Sequence, residues 1–282
     1  MTDEWPGWTV RRILVGLDAS APSAAALQAA VSLASRLHAE LLAMYIEDEN
    51  LARLAELPFA HELGAFSAQR RTLDPSYMDN LFKAQATRAR HALQRSASAA
   101  ELRWSFEIRR GSVARQLLLA AAEADLVVVG RSAIAHDLHT HIGSTARHLV
   151  DSAACAVLLT AADSLVSKPA VILFDGSEAS LQALLVGARW YGDALSPLTI
   201  MLVQQGDGES GALEQRAREI LGYEHVEARF VTCAAAGTFA LVQALQGEDC
   251  GLLIVSTEAL RSCGIDPLHV LQGIERPVLL IH

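Results

Sequence analysis

An internal repeat is the feature that most constrains how this chain can fold. The run ILVGLDAS at 13–20 is echoed 157 positions later by AVILFDGS at 170–177. Further along, ADLVVV at 124–129 is echoed by CGLLIV at 250–255, and AVLL at 156–159 by PVLL at 277–280. All three are short apolar runs of strand length. A repeat of this kind predicts two copies of one domain arranged in tandem.

Each copy is predicted to be an α/β domain. Short runs rich in Leu, Val and Ile alternate with longer alanine-rich amphipathic stretches, which indicates an open parallel sheet covered by helices. The predicted strands of the first copy are 12–17, 39–46, 102–108, 126–129 and 156–160. The predicted helices are 22–37, 75–97, 113–123 and 144–151. Ser20 is placed to cap the first helix, and Pro22 suits its first turn.

The predicted domains are residues 1–160 and 170–282, joined by a polar connection at 161–169. So short a tether favours side-by-side packing over independent tumbling. Asp18 to Gly130 spans 112 positions, whereas Asp175 to Ser256 spans 81. We assign the surplus to residues 47–80, predicted to be a loop with one short helix at 51–57, because prolines, a glycine and charged residues break the pattern there.

Composition excludes several classes of function. The chain has 282 residues, 51% of them hydrophobic, which is enough to bury two cores. Its net charge of -9 disfavours nucleic acid or an anionic membrane as the main partner. No apolar run is long enough to span a bilayer, and 1–8 lacks the basic and apolar regions of a signal peptide, so a cytoplasmic protein is expected. Four cysteines without CxxC spacing suggest neither a zinc ribbon nor a thioredoxin-like site.

The loop after the strand at 126–129 carries the clearest chemical signal. Ligands of an open parallel sheet bind beyond the carboxyl ends of its strands. There the sequence reads Gly130-Arg131-Ser132-Ala133, and ten positions on Gly143-Ser144-Thr145 opens a predicted helix. Glycines allow a backbone to approach a ligand closely, and the start of a helix offers free amides and positive dipole charge. The arrangement predicts a phosphate site.

This spacing resembles the universal stress protein family. Its nucleotide-binding members carry Gly, two residues, Gly, nine residues, then Gly-Ser or Gly-Thr. This chain has Gly130, two residues, Ala133, nine residues, then Gly143-Ser144. The opening run 15–20 looks like the family's first strand and turn, and tandem domains are a known family format. The resemblance implies two tandem open parallel-sheet domains, Rossmann-like and of the adenine-nucleotide alpha hydrolase-like kind, each with strand order 3-2-1-4-5.

The resemblance also implies a site for ATP or a related adenine nucleotide in the N-terminal domain, with Mg²⁺ left open. Its base and ribose end would be formed by Leu17, Asp18 and Ile46. The groups that meet the ribose and phosphates would be Val129, Gly130, Ala133, Gly143, Ser144 and Thr145, with Arg131 as a neutralising cation. Alternatives stay open: Asp18 could brace a turn or cap a helix, Ile46 could be core, and Gly143-Ser144 could be only a helix start. Alanine at 133 would distort the loop if that position needs a positive φ, and would serve if it needs only a small side chain.

The second copy is predicted not to bind ATP in the family manner. Ser256 stands where the first copy has Gly130, the following loop (257–263) is five residues shorter, and Ile265 replaces Ser144. The last strands of the copies, 156–160 and 277–281, are expected to pair within the chain and imitate a dimer. Dimerisation of whole chains is left open.

The remaining signals bear on the kind of function. His136, His139 and His141, with Asp137, are expected to form a lid over the phosphates rather than a metal site. Neither a GxSxG elbow nor a GxxxxGK[ST] loop is present, so at most slow ATP hydrolysis is expected. The expected function is a stress-response protein whose nucleotide occupancy alters its shape or its choice of protein partner. The alternatives are a scaffold that binds no nucleotide and, with less support, an ATP-dependent enzyme of the wider adenine-binding group.

Overall fold

We analysed a computed structural model of the chain, which describes residues 9–18, 20–57, 61–63, 70–72, 74–131, 142–160, 169–191, 198–204, 210–234 and 237–282. The strands of the first half are β1 (Arg12–Leu17), β2 (Glu40–Asp48), β3 (His61–Leu63), β4 (Arg70–Thr72), β5 (Trp104–Gly111), β6 (Leu126–Gly130) and β7 (Ala156–Thr160). Those of the second half are β8 (Ala170–Phe174), β9 (Leu198–Gln204), β10 (Ala228–Ala234), β11 (Leu252–Ser256) and β12 (Val278–Ile281).

Helices fill the connections. In the first half they are α1 (Ala21–Leu37), α2 (Glu49–Ala55), α3 (Pro75–Ala99), α4 (Val113–Ala121) and α5 (Ser144–Ser152). In the second half they are α6 (Glu178–Tyr191), α7 (Ser210–Tyr223), α8 (Thr238–Gly247), α9 (Thr257–Ser262) and α10 (Pro267–Gln272). Ser20 caps α1 as predicted, and its side chain accepts a hydrogen bond from the Ser23 amide.

Both halves have the predicted strand order. The main sheet runs β10-β9-β8-β11-β12-β7-β6-β1-β2-β5, so each half reads 3-2-1-4-5 when its own five strands are numbered along the chain. Within the main sheet, all strand pairs inside one half are parallel. At the centre β7 and β12 pair antiparallel, with Leu158 opposite Leu279. The predicted pairing of the two last strands is confirmed, and it joins the two expected sheets into one sheet of ten strands.

Apolar side chains cover the sheet on both faces. One core is formed with α1, α3, α6 and α7, and the other with α4, α5, α8, α9 and α10. Each core contains residues from both halves. The two strands of the antiparallel central pairing are buried along their whole length, because helices cover both faces of the sheet there.

The length difference between the halves lies where the sequence places it. Residues 47–80 contain α2, a short antiparallel hairpin of β3 and β4, and the start of α3. The helix was predicted but the hairpin was not, because strands of three residues are too short to show an alternating pattern. A small cluster of Ala52, Ala55, Met78 and Phe82 packs α2 against α3.

Two expectations fall on residues that the structure does not describe. The connection at 161–169 is described only at Pro169, and the histidine loop lies outside the described residues altogether. None of the helices in the described part of the chain is long and apolar enough to cross a membrane.

Candidate functional site

A cleft opens at the carboxyl ends of β1, β2 and β6, in the first half of the chain. Its volume is about 630 Å³, within the range of small-molecule sites. The described residues that were predicted for the site and that line this cleft are Leu17, Asp18, Ile46, Val129, Gly130, Gly143, Ser144 and Thr145. Topology brings them together, since the carboxyl ends of parallel strands meet at one edge of a sheet. Ala133 lies outside the described residues.

The turn after β1 is held by a short hydrogen-bond network. The Asp18 carboxylate accepts from the Ser20 amide at 2.9 Å, and the Asp18 amide donates to the Ser23 hydroxyl at 3.1 Å. Asp18 therefore braces the turn, which was one of the alternatives that the sequence left open. It also borders the cleft, so its two roles are compatible.

Gly130 ends β6 at a point of very close approach. A Cβ atom at this position would lie 2.4 Å from the carbonyl oxygen of Pro22, in the first turn of α1. No side chain fits there unless the backbone shifts. Because position 130 is a glycine, the end of β6 can pack closely against α1 beside the cleft, which Gly130 lines.

The N-terminus of α5 faces the cleft. Gly143 is its N-cap residue, and among the described residues no side chain caps its amides. The first intrahelical bond runs from the Arg147 amide to the Gly143 carbonyl at 3.0 Å, so the amides before Arg147 have no acceptor within the helix. Ser144 and Thr145 add hydroxyl groups on the same side of the cleft. Amides, hydroxyls and the helix dipole together suit an anion.

The cleft continues into a second cavity of about 470 Å³ between the N-termini of α4 and α5. Ser144 and Thr145 border both cavities, and Arg115 and His148 line the second. His148 Nδ1 lies 2.7 Å from the Ser144 carbonyl oxygen, which can only accept, so Nδ1 carries a proton. Asp48 borders both cavities as well and contributes a negative charge between them.

The site also includes residues that sequence reasoning missed. Tyr45, Phe82 and Gln85 line the cleft, and the Tyr45 hydroxyl donates to Gln85 Oε1 at 2.8 Å. Burial, and then the charges of Glu47 and Asp18, raise the pKa of Tyr45 to about 12, so the phenol stays protonated. Tyr45 could have been noticed as the neighbour of Ile46. Phe82 and Gln85 reach the cleft only because α3 packs beside β2, which no local pattern predicts.

Comparison with known proteins identifies the family. Residues 9–161, just over half of the chain, match the model of the universal stress protein family. The chain belongs to this family. A universal stress protein from Mycolicibacterium smegmatis is 29% identical over 180 residues, which are 60% of this chain and 55% of that protein. The matched segment thus spans little more than half of that relative.

Solved structures confirm the fold over nearly the whole chain. A universal stress protein from Archaeoglobus fulgidus superimposes with a TM-score of 0.72 at 14% identity, over 96% of this chain and 97% of that one. A functionally unknown protein from Pseudomonas aeruginosa superimposes with a TM-score of 0.57 at 18% identity, over 97% and 93% of the two chains. At these identities the likeness shows the common fold alone.

In this universal stress protein Arg131 does not face the cleft, which corrects the expectation that it neutralises a phosphate. Its side chain is buried and donates to backbone carbonyl oxygens of Leu271, Ile274 and Arg276 in the second half. Burial lowers the pKa of Arg131 to about 10, against the opposite effect of Glu275. The guanidinium is still charged at neutral pH. Arg131 follows the strand as predicted, but its side chain points toward the second half and not into the cleft.

Among the described residues, little space remains at the equivalent position in the second half. Between Asp175, Cys263 and Ile265 the remaining space is about 10 Å³, about the least that holds one water molecule. The predicted loop at 257–263 is largely the helix α9, which starts directly after β11 with Ser256 as its cap. The segment is short as expected but helical rather than a loop, and Ala259 and Leu260 of this helix line the small space that remains among the described residues.

The helix that corresponds to α5 is also closed to anions. It begins at Pro267, two residues after Ile265, which aligns with Ser144, and Asp266 caps it. The Asp266 carboxylate accepts from the Leu268 amide at 2.9 Å. A side-chain carboxylate of the protein thus occupies the place that α5 leaves open in the first half.

Proposed function

We propose that the N-terminal half of this universal stress protein binds ATP or a related adenine nucleotide, and that the protein is a nucleotide-dependent regulator of the stress response. The observation that carries the proposal is the uncapped N-terminus of α5 at the end of a 630 Å³ cleft. Such a helix start favours a phosphate, because its amides lack acceptors and its dipole is positive.

The chemistry of the cleft suits the three parts of a nucleotide. Buried Leu17 and Ile46 offer apolar walls for the base, while the Tyr45–Gln85 pair offers hydrogen-bonding groups beside them. Asp18 is proposed to accept from the ribose hydroxyls. Beyond it, Gly130, Gly143, Ser144 and Thr145 are proposed to meet the phosphates, and Ala133 to serve there as a small residue.

Mg²⁺ is proposed to arrive with the phosphates. It is commonly bound through substrate phosphates together with one or two carboxylates. Asp18 and Asp48, which both line the cleft, could supply them. The described residues contain no group of three His, Cys, Asp or Glu side chains that could hold a metal ion.

The two halves are proposed to have different functions. Residues 1–160 form the nucleotide-binding domain, 161–169 the connection, and 170–282 a domain without its own nucleotide site. One nucleotide per chain is therefore expected. A cytoplasmic setting is proposed because all four cysteines are free thiols, which suits a reducing compartment.

The test is direct. Purified protein is denatured and any released nucleotide is identified by chromatography, and ATP binding to nucleotide-free protein is measured by titration calorimetry. Gly143→Leu is expected to abolish binding, because it adds a branched side chain at a cleft-lining position whose φ of -59 any residue can adopt. Gly222→Leu is the control, since a Cβ at Gly222 in α7 meets nothing within 4 Å.

If the unaltered protein neither retains nor binds an adenine nucleotide, the proposal is wrong. The chain would then act as a scaffold through protein contacts. Steady ATP turnover that disappears in Ser144→Ala would instead favour an enzyme over a regulator.

A further inference from the structure

Arg131 links the two halves at the point where the nucleotide cleft begins. Its side chain is only 8% exposed. Nη1 donates to the carbonyl oxygens of Ile274 at 2.5 Å and Arg276 at 3.0 Å, and Nη2 donates to that of Leu271. Leu271 belongs to the last turn of α10, and Ile274 and Arg276 lie two and four residues beyond its end. The Leu271 carbonyl at the helix end lacks an intrahelical partner and carries partial negative charge, so it suits a buried cation.

The residue before Arg131 belongs to the cleft. Gly130 is a lining residue and is pressed against Pro22, so it has no room to move toward α1. The Arg131 amide donates to the Thr160 carbonyl at 3.0 Å, which continues the pairing of β6 with β7. Successive residues of an extended chain project to opposite sides. Gly130 therefore lines the cleft, while the next residue, Arg131, contacts the second half.

The helix α5, on the other side of the site, also contacts α10. α10 packs against α5, whose first residues Ser144 and Thr145 border the cleft. Near the other end of α5, Asp151 lies 3.8 Å from Arg261 of α9. The end of β6 and the helix α5, which together carry the proposed phosphate-binding groups, are thus both in contact with α10.

We infer that Arg131 is a positioning residue that couples nucleotide binding in the first half to the order of α10 in the second half. The inference rests on the proposed function. A nucleotide held between Gly130 and Ser144 fixes the two elements on which α10 packs, so it stabilises α10. Coupling free energies are reciprocal, so loss of the Arg131 contacts weakens phosphate binding in return. The second half, whose own cavity is filled, thereby senses the occupancy of the first.

The test combines hydrogen–deuterium exchange with calorimetry on the full chain. In the unaltered protein, ATP is expected to slow amide exchange in peptides that cover 267–276. In Arg131→Met that effect should disappear, and ATP affinity should fall about tenfold, a usual size for coupling between sites. Adenosine affinity should change less than about twofold, because adenosine has no phosphates to be misplaced. Arg131→Lys keeps the charge with a single donor group, so an intermediate loss of about threefold is expected.

Arg36→Met is the matched control. The Arg36 side chain also joins the two halves, but it donates to the carbonyl oxygen of Trp190 in α6 rather than to the α10 segment. The variant should therefore remove a contact of the same kind, yet keep ATP affinity and the ATP-dependent protection of 267–276.

The outcomes are distinguishable. If the unaltered protein binds ATP but 267–276 exchange equally with and without it, the coupling is wrong and the proposed function stands. The same holds if Arg131→Met and Arg36→Met have equal effects on ATP affinity and on the protection of 267–276. If Arg131→Met does not fold, full ATP affinity and protection in Arg131→Lys would overturn the inference. If the unaltered protein binds no nucleotide, both proposals fall.

Discussion

The Cys263 thiol donates a hydrogen bond to the Asp175 carboxylate, with 3.6 Å between Sγ and Oδ2. Asp175 is the counterpart of Asp18, and both carboxylates also brace the turn after the first strand of their half. Burial favours the neutral form of Asp175, but hydrogen bonds from Ser177, Ser180 and Cys263 outweigh it and lower the pKa. Asp18 borders an open cleft instead. The second half thus has the same turn as the first, but the space beside its turn is about 10 Å³ instead of a cleft of about 630 Å³.

This equivalence gives a matched pair of variants. Asp18→Ala is expected to weaken ATP binding about tenfold or more, because it removes a charged acceptor proposed for the ribose. Asp175→Ala should leave ATP affinity unchanged and lower the free energy of unfolding by about 1–3 kcal/mol, since Ser177 and Cys263 lose their acceptor. Calorimetry and urea unfolding measure the two effects. A stoichiometry near two, or equal effects of both variants on affinity, would contradict the asymmetry of the halves.

Gly130 gives a prediction about stability. Gly130→Ala is expected to lower the free energy of unfolding by about 1–3 kcal/mol, since its Cβ would overlap the Pro22 carbonyl and force a backbone shift. Gly222→Ala is the control, with open space around it, and should raise stability by at most about 1 kcal/mol. Urea unfolding of both variants decides the matter. Equal stabilities would mean that β6 and α1 approach less closely than described.

Cys155 gives a prediction about pH. Burial, and next the charge of Asp125, raise the pKa of Cys155 from 9.0 to about 11. The unfolded state therefore loses its proton first, so the contribution of this thiol to stability is complete below about pH 9 and is lost as the pH rises through about 11. The loss should reach about 1–2 kcal/mol once partial exposure is allowed for.

The measurement is urea unfolding at pH 8, 9, 10 and 11 for the unaltered protein and Cys155→Ala. The variant should show a shallower fall with pH, because alanine does not titrate. Parallel curves would show that Cys155 is not the source of the alkaline loss.

Much of the fold and part of the site follow from local sequence. Alternating apolar strands and amphipathic helices predict the two α/β halves, and the turn at 18–23 follows from short polar side chains that bond to nearby amides. The cleft residues at strand ends were predictable too, since a parallel sheet gathers its carboxyl ends at one edge. The assignment of these residues to a phosphate site came from the family resemblance, because a local pattern cannot distinguish a phosphate site from an ordinary helix start.

Other features depend on what packs against what. Gln85 lines the cleft because α3 packs beside β2. The Arg131 side chain points away from the cleft because its acceptors, the carbonyl oxygens of Leu271 in α10 and of Ile274 and Arg276 beyond it, lie on the other side. The sequence by itself determined the repeat and the edge of the sheet where a ligand would bind, and the family resemblance supplied the strand order. Only the tertiary structure decided that one cleft is open and the other filled, and that an arginine in the phosphate loop binds the second half. The filled space depends on contacts such as Asp175 with Cys263, 88 positions apart, and the Arg131 contact with Ile274 spans 143 positions, so no local pattern encodes either.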